Sequence, residues 1–239
     1  MKNRFCIIAL GGSLIVPHLS DDGGVNVPFL REFRKFLLQE LKDGKRFMVV
    51  AGGGKTTRVY QKGASEVVRV SKEDLDWLGL HPTRLNAHLL RTIFAREAYP
   101  RVLDHDPSLR EVSSLRAKRK RLLIGGGWRP GWSTDYVAIR LAQKFKVREV
   151  IIAGDTPFVY DKDPRKHKDA EPLEELSWKE YRRLIPRKWS PGFSSPVDPV
   201  GAKLAQEQGI TAKILHGADL ANLRRAIRNK PFTGSVISG

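Results

Sequence analysis

The chain has 239 residues, 41% hydrophobic and 29% charged, the balance of a soluble globular protein with a sizeable core. No apolar run approaches the ~20 residues of a membrane helix, which excludes a helical membrane protein. The formal net charge of +17 favours anionic partners such as nucleotides, nucleic acid or acidic lipid. The single cysteine, Cys6, cannot form an internal disulfide, which suits a reducing cytoplasm.

The first segment, "RFCIIALGG", follows a basic start and loosely resembles a secretory signal. Gly11 and Gly12 interrupt it and no small-residue cleavage site follows, so a first core strand is the better reading. Residues 28–44 show apolar residues at helical spacing, with Pro28 at the start and Gly44 as a stop. Residues 46–51, "RFMVVA", form a second strand, and residues 56–67 begin a helix weakened at Gly63. Residues 82–100 read as a helix bracketed by prolines. The dense basic run "RAKRKR" at 116–121 has no aromatic interleaving and reads as a solvated loop rather than a nucleic-acid patch. After it come a strand at 121–127, a helix at 133–146 capped by Ser133 or Thr134, and a strand at 148–154. Residues 186–199, rich in Pro and Ser, read as an ordered loop. A helix at 198–209, a strand at 211–217, a helix at 218–229 and a final edge strand at 233–238 complete the chain. Strands separated by helices imply an α/β protein with a mainly parallel sheet covered on both faces, in one domain without repeats.

In such sheets ligands bind beyond the carboxyl ends of the strands. Here those ends carry Gly11-Gly12-Ser13, Gly52-Gly53-Gly54, Gly125-Gly126-Gly127 and Ala153-Gly154-Asp155. The stretch "VVAGGGKTTR" mimics a nucleotide P-loop, but G-x-x-x-x-G-K-[ST] needs a glycine at position 49, which is Val49. One glycine cluster is ordinary turn chemistry. Several on one sheet edge indicate a backbone-lined channel for phosphate.

The ordered set "GGSL", "VVAGGG", "GGGWRPGWSTD", "VYDKDP" and "DPVGAKLA" resembles the amino acid kinase superfamily, and within it the UMP kinases, whose Asp, Gly and Asn-Ala pattern is similar to "DLDWLGLHPTRLNAHLL". The resemblance implies a three-layer αβα sandwich, with an acceptor half over about residues 1–145 and an ATP half over about 146–239. It implies transfer of the γ-phosphoryl of ATP to UMP, with ATP and Mg²⁺ as cofactors, in a homo-hexamer. On the acceptor side it assigns Gly11, Gly12, Gly53 and Gly54 to the phosphates, and Arg58 to the UMP phosphate, where the bland reading is a surface arginine. Asp76 falls to the ribose hydroxyls, and Asn86 either orients this side or satisfies its helix. Gly127, Trp128 and Thr134 fall in the loop around the substrate; Trp128 and Trp132 would stack on a base or on a neighbouring subunit. On the donor side it assigns Gly12, Ser13, Asp155, Thr156, Tyr160 and Asp163 to ATP. Asp135, Asp198 and Lys203 become the catalytic candidates, although Ser133 to Asp135 and Asp198 also fit plain helix caps. No metal ligand is identified.

Two positions depart from the family. Ala9 stands where a lysine usually meets the transferring phosphoryl, with Lys55, Lys203 and Arg129 as replacement cations by placement; Pro157-Phe158 replaces an aspartate and a glycine. These departures motivate alternatives: a catalytically degraded nucleotide-binding regulator or assembly subunit, or a kinase for a small carboxylate or carbamate. A nucleic-acid binder using the +17 charge is the last.

Overall fold

In a computed structural model of the chain, residues 5–19, 24–118, 120–188 and 195–239 are described. Strand β1 (Phe5–Leu10) ends at Gly11 and passes into the short helix α1 (Gly12–Ile15). Helix α2 (Val27–Lys42) starts under an Asn26 side-chain cap with Pro28 in its first turn, and Gly44 follows at φ +87°. Next come β2 (Arg46–Ala51), α3 (Gly54–Val67), α4 (Lys72–Ile93), α5 (Leu109–Ala117), β3 (Leu122–Gly125), α6 (Thr134–Phe145) and β4 (Glu149–Gly154). The two-residue strands β5 (Val159–Tyr160) and β6 (Pro172–Leu173) form a small antiparallel ribbon. The chain ends with β7 (Glu175–Ser177), α7 (Trp178–Leu184), α8 (Pro199–Gln208), β8 (Thr211–His216), α9 (Leu220–Ile227) and β9 (Ser235–Ser238).

The central sheet has the order β3-β2-β1-β4-β8-β9-β7. The first five strands are parallel; β9 runs antiparallel to β8, and β7 runs parallel to β9. Alternate residues of each strand feed opposite faces. Ile7, Met48 and Val150 join α5, α6, α7 and α8 in one core, while Ile8, Val49 and Ile151 join α1, α2, α4 and α9 in the other. Helices therefore cover both faces of a mainly parallel sheet, as the strand–helix alternation implies.

Three expectations need correction: the edge strand, the start of α4 and the solvated basic run. Residues 233–238 are not an edge strand, because β9 lies between β8 and β7. Helix α3 forms over the expected residues 56–67, through Gly63, but α4 starts ten residues before Pro82, which sits inside it. The basic run is not solvated throughout: Arg116 closes the last turn of α5, and its guanidinium donates to the Phe145 carbonyl oxygen. The loop expected at 186–199 lies partly outside the described residues, at 189–194.

Candidate active site

A cavity of about 620 Å³ opens beyond the carboxyl ends of β1, β2 and β4. Its floor is Ala9 to Ser13 and Gly52 to Gly54. Thr57 and Arg58 of α3 and Asp76, Gly79 and Thr83 of α4 form one wall. The β3–α6 loop contributes Gly127, Arg129 and the run 131–135, and the segment 154–166 closes the other side.

The floor needs glycine because two loops cross at backbone distance. A Cβ on Gly12 would stand 2.0 Å from the Gly54 nitrogen, and Gly54 itself has φ +69°. A Cβ on Gly54 would also stand 2.4 Å from the Gly12 carbonyl oxygen, so glycine alone fits both positions. Gly52 N–H donates to the Leu10 carbonyl and Gly11 N–H to that of Ala153, locking the two loops and β4 together. Helix α3 begins at Gly54, so its first N–H groups lack intrahelical acceptors; that of Lys55 donates to the Val16 carbonyl, and the others can meet an anion.

Helix α4 organises the acceptor wall. Asp76 Oδ2 accepts from Gly131 N–H at 2.8 Å, and Thr83 Oγ1 accepts from Gly127 N–H at 2.7 Å. Arg84 donates to the Gly127 and Trp128 carbonyls at 3.1 and 3.0 Å. Asn86 Nδ2 donates to the Gly52 carbonyl at 2.7 Å. One helix thus fixes both the β2–α3 and the β3–α6 loops. It is tied to α3 in turn by Thr57 Oγ1 on the Gly79 carbonyl and Gln61 Nε2 on that of Leu75.

Beneath the β3–α6 loop lie two carboxyls. Asp198 caps α8, accepting from Val200 and Gly201 N–H at 2.8 and 3.0 Å and from the Ser133 hydroxyl. Ser133 also caps α6 by accepting from Tyr136 N–H. Burial, and then the neighbouring Asp198 carboxylate, push the Asp135 carboxyl up to about 8. Burial likewise raises Asp198, partly offset by its hydrogen bonds from Ser133, Gly201 and Val200. At neutral pH the cavity floor at Asp135 is therefore largely uncharged, which spares an incoming phosphate a repulsive partner.

The amino acid kinase family model matches residues 4–216. This chain belongs to the amino acid kinase family. The uridylate kinase of Hyperthermus butylicus is 33% identical over 205 residues, 85% of this chain and 88% of that protein. That of Methanocaldococcus jannaschii is 30% identical over 236 residues, 98% and 99% of the two chains. The crystal structure of uridylate kinase from Archaeoglobus fulgidus superposes with a TM-score of 0.77 at 29% identity, covering 98% of this chain and 100% of that one. The UMP kinase of Bacillus anthracis, with a TM-score of 0.77 at 19% identity, agrees in fold.

Within this amino acid kinase fold, most of the expected site residues meet at one cavity: Gly11, Gly12, Ser13, Gly53, Gly54, Arg58, Asp76, Gly127, Thr134, Asp135, Asp155, Thr156, Tyr160 and Asp163 all line it. Four do not. Asn86 is buried behind the floor and positions Gly52. Trp128 is a core residue, donating Nε1–H to the Leu103 carbonyl at 3.2 Å, so it offers no face to a base. Asp198 is enclosed as the α8 cap. Lys203 stands exposed on α8 with its Nζ 3.8 Å from Glu207, away from the cavity, because its register on the helix faces solvent. Thr57, Gln61, Thr83, Phe158, Lys162, Arg165 and Lys166 line the cavity without having been anticipated. Thr83 follows Asp76 by seven residues, two helical turns, a signal hidden by starting the helix at Pro82.

Proposed function

We propose that this chain is a uridylate kinase, transferring the γ-phosphoryl of ATP to UMP to give UDP and ADP. The observation that carries the reading is one cavity in which an arginine and an aspartate from α3 and α4 share a glycine floor with the segment 154–166 on the opposite side. Near full-length similarity to archaeal uridylate kinases supports it. Arg58, a planar donor fork, suits the UMP phosphate, and Asp76 suits the ribose hydroxyls. Asp155, Thr156, Tyr160 and Asp163 hold ATP on the opposite flank. The domain thus divides functionally into an acceptor half up to about residue 145 and a donor half beyond it.

An oxygen of the UMP phosphate attacks the γ-phosphorus in line, and the bond from that phosphorus to the β–γ bridging oxygen breaks. The UMP dianion and the ATP tetraanion give two trianions, so charge balances without a general base. Asp135 is then a positioning group rather than a proton acceptor. The residues of the site fit a nucleotide, whose phosphates meet backbone N–H groups over the glycine floor. They do not fit a resident divalent cation: among the described residues no three His, Cys, Asp or Glu side chains converge, and the Asp198 oxygens are engaged. Mg²⁺ belongs to the ATP phosphates as it arrives, and no step is assigned to it.

The working form is a cytoplasmic homo-oligomer, hexameric by resemblance. Among the described residues no helix is long and apolar enough to cross a membrane. None of the residues of α3 is buried; Val59, Tyr60 and Val67 stand exposed on it, as Trp77 and Leu85 do on α4, which suits contact with further copies. Light scattering measures that mass directly, and a monomer overturns it.

Steady-state ADP formation with ATP·Mg²⁺ and UMP, against CMP, AMP and no acceptor, tests the activity. UMP-dependent turnover is expected. Tight UMP binding without turnover would instead favour the second reading, a nucleotide-binding protein that has lost its chemistry. The observation behind that reading is Ala9, which offers the floor only a methyl group.

A further inference from the structure

A phosphoryl group crossing from donor to acceptor passes over a floor that supplies no cationic side chain between Ala9 and Gly12. Phosphoryl transfer nevertheless depends on preorganised positive charge. Among the described residues lining the cavity, the cations are Arg58, Arg129, Lys162, Arg165 and Lys166. Neither Lys55 nor Lys203 reaches it. Arg58 stands on the acceptor wall. Lys162 and Arg165 are engaged on the donor flank, at 2.7 Å from Asp169 and 3.1 Å from Asp163, and Lys166 follows them in the same loop.

Arg129 differs from all of these. It stands on the β3–α6 loop, a few residues ahead of Thr134 and Asp135, which open α6 and line the same cavity. It lies over the ring of Trp132, with the guanidinium carbon 4.0 Å from the centroid, its charge acts on the nearby Tyr136 phenol, and among the described residues it makes no salt bridge. Trp132 is itself held, 4.5 Å from the Tyr136 ring and 6.1 Å from Trp128, whose indole is anchored to the Leu103 carbonyl. A guanidinium lying on an aromatic face keeps its five N–H donors at the edge, where an anion can take them.

We infer that Arg129 supplies the positive charge that meets the transferring phosphoryl group, in place of a lysine on β1. This rests on the uridylate kinase reading and names the residue that makes it chemically workable. Trp132 acts through Arg129 as a positioning residue.

The test compares Arg129→Ala, Arg129→Lys and Lys166→Ala with wild type, measuring kcat, both KM values, and UMP and ATP binding by titration. Arg129→Ala is expected to lower kcat about 10²–10³-fold, the typical loss of one preorganised donor, while nucleotide binding stays near wild type. Arg129→Lys recovers part of that loss, and added guanidinium ion partly rescues Arg129→Ala. Lys166→Ala acts mainly on the KM for ATP. An Arg129→Ala enzyme with wild-type kcat, or one changed only in the KM for UMP, overturns the inference, as does a kcat loss found in Lys166→Ala instead. An inactive wild type overturns the kinase reading and this inference together; an active wild type with an equally active Arg129→Ala overturns the inference alone.

Discussion

Asp76 and Asp135 both face one cavity, yet their surroundings give them different chemistry. Asp76 stands on the wall, and its Oδ2 accepts from the Gly131 amide. Replacing it with Asn weakens both that bond and any hydroxyl of a bound ribose. Hydrogen bonds to charged groups are worth about 1.5–3 kcal/mol. Asp76→Asn should therefore raise the KM for UMP by roughly 10–100-fold and change that for ATP far less. Equal weakening of both substrates would remove Asp76 from the acceptor side. Asp135 is the opposite case. Its folded-state value of about 8 lies above the ordinary 3.8, because burial and Asp198 disfavour its charge. As pH rises between those values the unfolded chain ionises while the folded one keeps its proton, so stability drains away and then levels above about 8. Asp135→Asn removes that loss. Its melting temperature should exceed the wild type's by more at pH 8 than at pH 5, and a gap that narrows with pH would contradict the buried, neutral carboxyl.

At the scale of elements, the five parallel strands β3, β2, β1, β4 and β8 were legible, whereas β5, β6 and β7, of two or three residues, were not read. Each of the five is a short apolar run closed by glycine, and the glycines are there for a physical reason. Loops that cross at Gly12 and Gly54 leave no room for a side chain. Helix α4 was misread because proline is favoured in the first helical turn and costs about 3 kcal/mol inside a helix. Tertiary contacts override that cost here: residues on both sides of Pro82, from Asp76 to Asn86, are tied to the phosphate loops. That misreading hid Thr83 and Arg84. The interior place of β9 depends on β7, a non-local partner that no periodicity reveals. Helix α7 is only seven residues long, so its periodicity carries little signal, yet Ser177 and Glu180 cap it and Trp178 and Tyr181 are wholly buried. The Tyr181 hydroxyl donates to the Val197 carbonyl at 2.7 Å and accepts from Val197 N–H at 2.8 Å, holding the backbone that presents Asp198. Tyr181→Phe leaves the Val197 N–H buried and unpaired, at about 1–3 kcal/mol, while its carbonyl keeps the Ser195 hydroxyl at 2.8 Å. Chemical denaturation should report a loss in that range with an unchanged m-value, and a neutral result would mean that the segment is held elsewhere.

The whole molecule carries +17, and much of that surplus has structural work on the side away from the cavity. In this topology the helices end at the amino edge of the sheet, where their last carbonyls lack partners. Arg34 donates to Ile93, Arg121 to Leu41, and Arg46 to Leu115 and Arg116, at 3.0, 3.0, 3.3 and 3.1 Å; Arg116 and Lys120 reach Phe145 and Arg96. Each contact places a cation at or near the negative end of a helix dipole. Through Arg116, Lys120 and Arg121 the basic run thus ties the ends of α6 and α2 and the turn after α4 to the strand edge at β3. If this is its purpose, Arg121→Ala should cost about 1–2 kcal/mol, or roughly 2–8 °C in melting temperature for a domain of this size. Arg69→Ala, which removes the same charge from a side chain with no partner among the described residues, should leave stability unchanged or slightly raise it by easing self-repulsion. The two substitutions alter net charge equally, so the comparison separates capping from bulk electrostatics. Equal melting temperatures would release the basic run from its structural role and return it to the pool of surface charge available to an anionic partner.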